Sequence, residues 1–175
     1  MLKKFSITIG IFFLLILAMG FIMPNDYEVK RSISINATPA QIHPWVEDLS
    51  KWPQWTPWQS VDHKVKIEMG KISKGKGATQ KWTGKSGVGT LTITRSSTDY
   101  GIDFMLDMHA TSLNTYSSIT YTPNNAGTKV TWTTRGKFTM PVIGPYIAMA
   151  IDGTAGPMYE KGLKKLKQLV EESAR

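Results

Sequence analysis

Residues 52–58 of this chain read WPQWTPW, a stretch that holds three of the six tryptophans and decides the kind of fold the chain can form. Each indole ring buries about 150–250 Å² when it packs inside a protein. Pro53 and Pro57 prevent one regular helix, so the three rings need not point the same way. Directly after a predicted first strand and helix, such a cluster indicates a domain that lines a large apolar space.

The residues before this stretch predict a strand and a short helix. Residues 27–36 alternate in polarity and place their apolar side chains on one face of an extended chain. Thr38, followed by a proline and then by Gln41 at the third helical position, forms a capping box. Pro44 and the tryptophan stretch follow soon, so the helix is short. His43 lies within it and is predicted to be a surface or capping residue.

The residues after the stretch alternate with a period of two, which is typical of strands with one buried face. The clearest example is residues 100–108, where the even-numbered positions are apolar and Asp103 and Asp107 lie on the opposite face. Residues 123–127 read PNNAG, a hairpin turn signal, and residues 130–138 alternate again. We therefore expect a series of antiparallel strands.

The period changes to 3.6 in the C-terminal region, where apolar residues such as Leu163 and Leu166 recur at helical spacing. Upstream, residues 143–151 are apolar on nearly all sides, and Gly153 and Gly156 interrupt the pattern. The order of strand, helix, strands and long helix implies an α+β domain. In such a domain a curved antiparallel sheet packs on one long helix.

The N-terminal residues form a separate unit. Residues 5–23 are uncharged and apolar and follow Lys3 and Lys4. A helix of this length spans close to the ~30 Å hydrocarbon core of a bilayer. Residues 1–26 are therefore predicted to be a transmembrane anchor or a signal segment, and residues 27–175 a single domain. The two lysines favour a single-pass membrane protein with its N-terminus inside and its domain in the periplasm or otherwise outside the cytoplasm.

Five stretches carry a resemblance to a known superfamily: residues 27–33 (YEVKRSI), 48–55 (DLSKWPQW), 87–93 (GVGTLTI), 127–132 (GTKVTW) and 159–163 (YEKGL). Together with the order of elements, they resemble the START-like (SRPBCC) proteins, and most closely the branch called polyketide cyclase/dehydrase and lipid transport. The resemblance extends from residue 27 to about residue 172. It implies a helix-grip fold, in which the sheet wraps around the C-terminal helix and leaves an apolar tunnel. It specifies fold better than function, because the superfamily includes lipid carriers, cyclases, hormone receptors and coenzyme Q-binding proteins.

The inward strand faces, carried onto this fold, predict the residues that line the tunnel. All are aromatic or apolar, and burial of apolar area would drive ligand entry. The predicted ligand-binding residues are Trp52, Trp55, Trp58, Trp82, Phe104, Leu106, Trp132, Phe138 and Tyr159. The methionines that would instead fill a collapsed tunnel are Met108, Met140, Met149 and Met158.

No residue pattern predicts a catalytic group, a metal site or a cofactor. The chain has no cysteine, and its three histidines lack the i, i+4 spacing of a helical metal site. His109 lies two residues from Asp107, which could orient it as a general base, but the parity of the strand places both on the outer face. Asp152 is either buried with a perturbed pKa or, as its position beside Gly153 favours, a cap or turn residue.

Charge is a second signal, because the formal net charge is +8 and residues 64–85 contain seven lysines and one acid. Such a patch can bind anionic lipid headgroups near an anchor, or it can keep an edge strand solvated and unpaired. Nucleic acid is not an expected partner of an exported domain. The lysines are Lys64, Lys66, Lys71, Lys74, Lys76, Lys81 and Lys85.

Three functions stay open at this point. The favoured hypothesis is a membrane-tethered binding domain that holds a hydrophobic small molecule or lipid in the tunnel. The first alternative is an enzyme of cyclase or dehydratase type acting on a hydrophobic substrate in the same cavity. The second is an interaction or stress-response protein whose cavity has collapsed. The enzyme needs an inward-facing acid or base, and the parity of the strands predicts none.

Overall fold

The computed structural model describes residues 2–58, 62–85, 87–108 and 113–174, and the side chains of all of these except residues 2–7 and 113–114. The helices are α1 (Leu2–Ile22), α2 (Pro39–Val46), a 3-10 helix (Leu49–Gln54) and the long α3 (Ile143–Ser173). The strands are β1 (Asp26–Ile35), β2 (Lys66–Met69), β3 (Thr79–Gly84), β4 (Gly87–Ser97), β5 (Gly101–Met108), β6 (Leu113–Asn124) and β7 (Gly127–Lys137).

Within the described residues, seven strands form one antiparallel sheet in the order β1-β7-β6-β5-β4-β3-β2. The first strand pairs with the last, so β1 is one edge of the sheet and β2 is the other. The helix α3 packs mainly against β1 and closes over the inner face of the curved sheet. The predicted α+β helix-grip architecture is therefore confirmed.

Strand β5 shows how one face of the sheet becomes the core. Ile102 and Phe104 are buried on its inner face, as the alternating pattern predicted. Asp103 lies on the outer face, where its carboxylate Oδ1 accepts a hydrogen bond of 2.7 Å from the hydroxyl of Tyr100. Because side chains alternate along a strand, burying the even-numbered residues places the acids in contact with solvent.

The helix α3 runs without a break through Gly153, Gly156 and Pro157, although the two glycines interrupt the apolar pattern of the sequence. Arg31 of β1 lies across the helix at this point, and a Cβ added at Gly156 would overlap its guanidinium group. Glycine at position 156 therefore lets β1 approach the helix closely instead of ending the helix. Gly153 has no atoms near its missing side chain.

Asp152 is neither buried nor a turn residue, in contrast to both alternatives that the sequence left open. Its two carboxylate oxygens accept hydrogen bonds from Arg31 at 2.8 and 2.9 Å, and Arg31 also donates to Glu160 at 2.8 Å. The hydrogen bond from Arg31 lowers the pKa of Asp152. The three side chains fasten β1 to α3 on the exposed side of the helix.

The predicted single-pass membrane location is wrong. Within the described part of the chain, no helix is long and apolar enough to cross a membrane. The helix α1 instead contacts the start of α3, where the Tyr146 hydroxyl donates a 2.6 Å hydrogen bond to the carbonyl oxygen of Ile16.

Candidate functional site

A cavity of about 380 Å³ lies between the inner face of the sheet and α3. Strands β1 to β7 all contribute to its wall on one side, and residues 151–159 of α3 contribute on the other. Its volume falls within the range of about 300–1,000 Å³ that is usual for small-molecule sites. Most of its lining side chains are aromatic or aliphatic.

The register of the sheet places one row of four residues on the cavity wall. Gln80 of β3 is opposite Leu91 of β4, Leu91 is opposite Leu106 of β5, and Leu106 is opposite Thr115 of β6. Side chains that face each other across antiparallel strands have Cβ atoms about 4.5–5.5 Å apart. The row therefore presents an apolar centre with a polar residue at each end.

The predicted ligand-binding residues separate into two groups. Those that line the cavity are Trp58, Trp82, Leu106, Phe138 and Tyr159. Those that do not line it are Trp52, Trp55, Phe104 and Trp132. Each residue of the second group is at most 2% exposed and packs in the hydrophobic core. We call these four residues the tryptophan core. Contact of the first group with a ligand stays a prediction.

Two hydrogen bonds explain why the first two tryptophans of the stretch lie in the core. The indole nitrogen of Trp52 donates to the carbonyl oxygen of Val46 at 2.9 Å, and that of Trp55 donates to the carbonyl oxygen of Trp45 at 3.1 Å. Both acceptors belong to α2. The bonds satisfy N–H groups whose burial without a partner would be costly, and they hold both rings beneath α2.

Trp132 of β7 is the member of the tryptophan core that lies next to the cavity. Its ring stacks on that of Tyr159 with centroids 4.2 Å apart and planes inclined by 4°. It also makes edge contacts with Trp52, Trp55 and Trp58 at centroid distances of 6.3, 5.7 and 5.9 Å. Because Tyr159 and Trp58 line the cavity, Trp132 supports the lining from behind.

Most hydroxyl groups of the cavity wall are paired with one another. The Tyr159 hydroxyl donates to Thr134 Oγ1 at 2.8 Å, and Thr134 Oγ1 lies 2.8 Å from Ser117 Oγ. The Tyr27 hydroxyl lies 3.1 Å from Thr115 Oγ1. Burial raises the pKa of Tyr159, so its phenol is neutral at physiological pH. These pairs fix the positions of the aromatic side chains.

Sequence reasoning missed Gln80, a polar residue of the cavity. Gln80 is 4% exposed, and its side-chain oxygen Oε1 has no hydrogen-bond partner among the described residues. The signal was present in the sequence, because Gln80 lies two residues before Trp82 and therefore on the same inward face of β3. The pattern of apolar residues alone did not single it out.

The second missed polar residue is Asp62, which contradicts the expectation that no acid faces the cavity. Asp62 lines the cavity and is 8% exposed. Its carboxylate accepts hydrogen bonds from the backbone nitrogens of Lys85 at 2.7 Å and Lys64 at 3.0 Å. These two donors hold the pKa of Asp62 below its usual range. The carboxylate is therefore ionised at neutral pH and is a weak general base.

His43 is buried, so its prediction as a surface or capping residue is wrong. Its Nδ1 lies 3.3 Å from the Tyr121 hydroxyl, and its Nε2 lies 3.1 Å from Ser96 Oγ and 3.4 Å from Glu47 Oε2. The reason is that α2 packs the face carrying His43 against the sheet. Burial lowers the pKa of His43 and raises that of Tyr121. None of these four residues lines the cavity.

The remaining candidate residues lie in the cavity wall, outside the cavity, or outside the described residues. Met108 and Met158 line the cavity, whereas Met140 and Met149 are exposed, so the methionines leave the cavity open. His109 lies outside the described residues, and its predicted position on the outer face beside Asp107 stays a prediction.

The seven lysines of residues 64–85 are exposed on and around strands β2 and β3. Strand β2 is an edge of the sheet, and Lys74 pairs with Glu47 at 3.2 Å. This placement fits the alternative in which lysines keep an edge strand from pairing with another chain. Contact with anionic lipid headgroups is not supported.

A more open groove of about 550 Å³ lies on the outside of α3, between residues 54–57 and residues 157–168. Lysines Lys161, Lys164 and Lys165 form much of one side. The inner cavity is the better candidate for an apolar ligand, because the sheet and α3 enclose it and its walls are mainly apolar.

Comparison with known proteins identifies the sequence family. The profile of the family described as "Polyketide cyclase / dehydrase and lipid transport" matches residues 26–171. This match confirms the predicted resemblance to the START-like superfamily. No curated protein matches the sequence.

Solved structures with the same fold are distant in sequence. The KanY protein, solved by NMR, is 16% identical with a TM-score of 0.63, covering 83% of this chain and 98% of its own. A point mutant of norcoclaurine synthase from Thalictrum flavum, in complex with a transition-state analogue, is 10% identical with a TM-score of 0.62, covering 86% and 97%. The di-domain ARO/CYC StfQ of the steffimycin biosynthetic pathway is 12% identical with a TM-score of 0.65, covering 85% and 52%. This chain therefore spans about half the length of StfQ.

Proposed function

This chain is a member of the polyketide cyclase, dehydrase and lipid transport family, and we propose that residues 27–175 are a binding domain for a hydrophobic small molecule. The observation that carries this proposal is the apolar cavity of about 380 Å³ between the sheet and α3. Burial of a ligand there would gain about 25 cal/mol for each Å² of apolar surface removed from water. The wall needs no rearrangement to form, because its hydroxyl groups are already paired.

The volume of the cavity restricts the class of ligand. At the packing density of protein interiors, about 0.75, the cavity accepts roughly 280 Å³ of ligand atoms. That is enough for a two-ring compound or a single acyl chain of medium length. A phospholipid with two long chains is too large to be enclosed.

The cyclase or dehydratase alternative depends on Asp62, the carboxylate that lines the cavity. A proton-abstracting base works best when its pKa lies near the working pH. The backbone hydrogen bonds from Lys85 and Lys64 move the pKa of Asp62 in the opposite direction. Binding is therefore the better supported function, and Asp62 is the residue on which any reaction would have to depend.

Native mass spectrometry with extraction of bound molecules tests the proposal. We expect the full chain, purified without denaturation from its own source, to carry one apolar molecule of the stated size. The variant Leu106→Trp places an indole ring in the cavity and should be recovered without that molecule. A wild-type chain that is empty and that also fails to bind the neutral fluorescent dye N-phenyl-1-naphthylamine would refute a binding function.

A further inference from the structure

We propose that the cavity selects neutral apolar molecules that carry a hydroxyl group, and that Gln80 is the residue that selects them. This inference rests on the proposed binding function and specifies its ligand. It excludes fatty acids, whose headgroup is an anion. Three features of the cavity support it: the unpaired acceptor of Gln80, the position of Gln80 in the wall and the charge of Asp62.

Gln80 carries a hydrogen-bond acceptor that the described protein residues leave unused. Its Oε1 is buried and without a partner, although the residue is only 4% exposed. Buried polar groups in folded proteins are nearly always hydrogen-bonded, and leaving one unpaired costs free energy. The residue lines the cavity, and rotation about the terminal bond of its side chain, which costs little, would present this oxygen to a ligand's O–H group.

The surroundings of Gln80 match a ligand that is apolar apart from this one donor. Leu91 and Leu106 follow Gln80 in the same row of the sheet, and Trp82 lies two residues away on the same strand face. All of them line the cavity. A ring that packs against these side chains would bring a hydroxyl substituent within reach of Gln80 Oε1.

The other polar groups of the wall do not compete for this role. Tyr159 is bonded to Thr134, and Tyr27 lies within hydrogen-bond distance of Thr115. A ligand hydroxyl that met these groups would have to replace a bond that already exists. Gln80 offers its acceptor without such a loss.

Asp62 explains why the ligand should be neutral and not an anion. The Asp62 carboxylate lies beside Gly84, which is two residues beyond Trp82 on β3. Gln80 and Asp62 are therefore on opposite sides of Trp82 along the strand. A second negative charge brought near this carboxylate is repelled.

Three probes with the same rings distinguish these possibilities. β-Naphthol carries a hydroxyl group, methylnaphthalene replaces it with a methyl group, and naphthoate replaces it with an anion. We would measure the affinity of each by displacement of the neutral fluorescent dye N-phenyl-1-naphthylamine from the full chain. The informative quantity is the ratio of the naphthol affinity to the methylnaphthalene affinity, because this ratio cancels the contribution of the rings.

The variant Gln80→Leu removes the acceptor at nearly constant volume. We expect it to lower the ratio about tenfold, the effect of one hydrogen bond, with the methylnaphthalene affinity unchanged. The matched control Gln168→Leu makes the same chemical change on the exposed face of α3 and should keep the wild-type ratio. Wild type should bind naphthoate more weakly than naphthol.

Each other outcome overturns a defined part of the inference. An unchanged ratio in Gln80→Leu, or a variant that unfolds more readily than wild type, would show that Gln80 is bonded within the protein and does not select the ligand. Naphthoate binding as tight as naphthol binding would overturn the exclusion of anions. Both results leave the binding function standing. If the dye and all three probes fail to bind wild type, the binding function is refuted together with the inference.

Discussion

Two halves of the protein interior contain the same type of side chain, but it fills space in one half and lines an open cavity in the other. In the tryptophan core, Trp52 and Trp55 fill the space completely and their indole nitrogens bond to carbonyl groups of α2. In the cavity half, Trp58 and Trp82 stand at the wall of an open volume of about 380 Å³. The difference is that α2 covers the first half and does not extend over the second. An aromatic side chain therefore fills space or lines it according to which backbone element lies above it.

The largest expected effect is the loss of stability when the tryptophan core is opened. Trp52→Ala should lower the free energy of unfolding by about 3–5 kcal/mol, because a fully buried ring is removed from contact with Trp55, Phe104 and Trp132. Trp58→Ala, which faces the cavity, should cost much less and should instead weaken dye binding. Urea unfolding of both variants measures the difference. Equal losses would show that the two halves are not distinct.

The reverse substitution should affect binding and leave stability nearly unchanged. Leu106→Trp fills the cavity and should weaken binding of N-phenyl-1-naphthylamine more than tenfold, while the free energy of unfolding changes by less than about 1.5 kcal/mol. Met149→Trp is the control, because it adds the same ring at an exposed position of α3. If the two variants bind the dye equally well, the dye does not occupy the cavity.

A smaller effect is expected at the rim of the cavity, from Asp62→Asn. Backbone donors lower the pKa of folded Asp62 below the ordinary value of about 3.9. The stabilisation of the folded state by ionised Asp62 is therefore complete above about pH 4. It disappears as the pH falls through the lowered pKa of Asp62 in the folded state. Wild type should melt at a higher temperature than the variant near pH 7, and the two should converge in strong acid. Melting curves that differ by the same amount at every pH would contradict this role.

We expect the smallest effect on stability from His43, which lies on the buried face of α2. Burial lowers the pKa of folded His43 below the ordinary value of about 6.5. The unfolded chain therefore binds the proton first, and stability falls as the pH drops below about 6.5. His43→Gln should flatten this slope and leave dye affinity unchanged, since His43 lies outside the cavity. Chemical unfolding at a series of pH values tests this, and an identical slope in the variant would contradict it.

Sequence patterns correctly predicted those parts of the fold that depend on interactions between residues close in sequence. Gln41 accepts a hydrogen bond from the backbone nitrogen of Thr38 at 2.9 Å, as the capping box indicated. The alternation of β5 correctly placed Phe104 inside and Asp103 outside. The hairpin between β6 and β7 turns at residues 125–126, where the sequence indicated it. Each of these features depends on residues close in sequence.

The parts that could not be predicted depend on contacts between distant elements. Which tryptophan fills the core is decided by carbonyl groups of α2, and the reason for a glycine at position 156 is the approach of Arg31 from β1. His43 is polar but buried because its partners come from β4 and β6. The length of an apolar run predicted a membrane span that the described residues do not support. The polarity and spacing of residues identify the buried face of a helix or strand, but they do not identify the element that packs against that face.

The close approach of Arg31 to Gly156 also constrains how this protein can diverge in evolution. A side chain at position 156 would require the guanidinium to shift from its place beside Asp152 and Glu160. A descendant with a larger residue there must therefore either re-orient Arg31 or replace it, so the choice of residue at position 156 is linked to the ion pairs of β1 and α3.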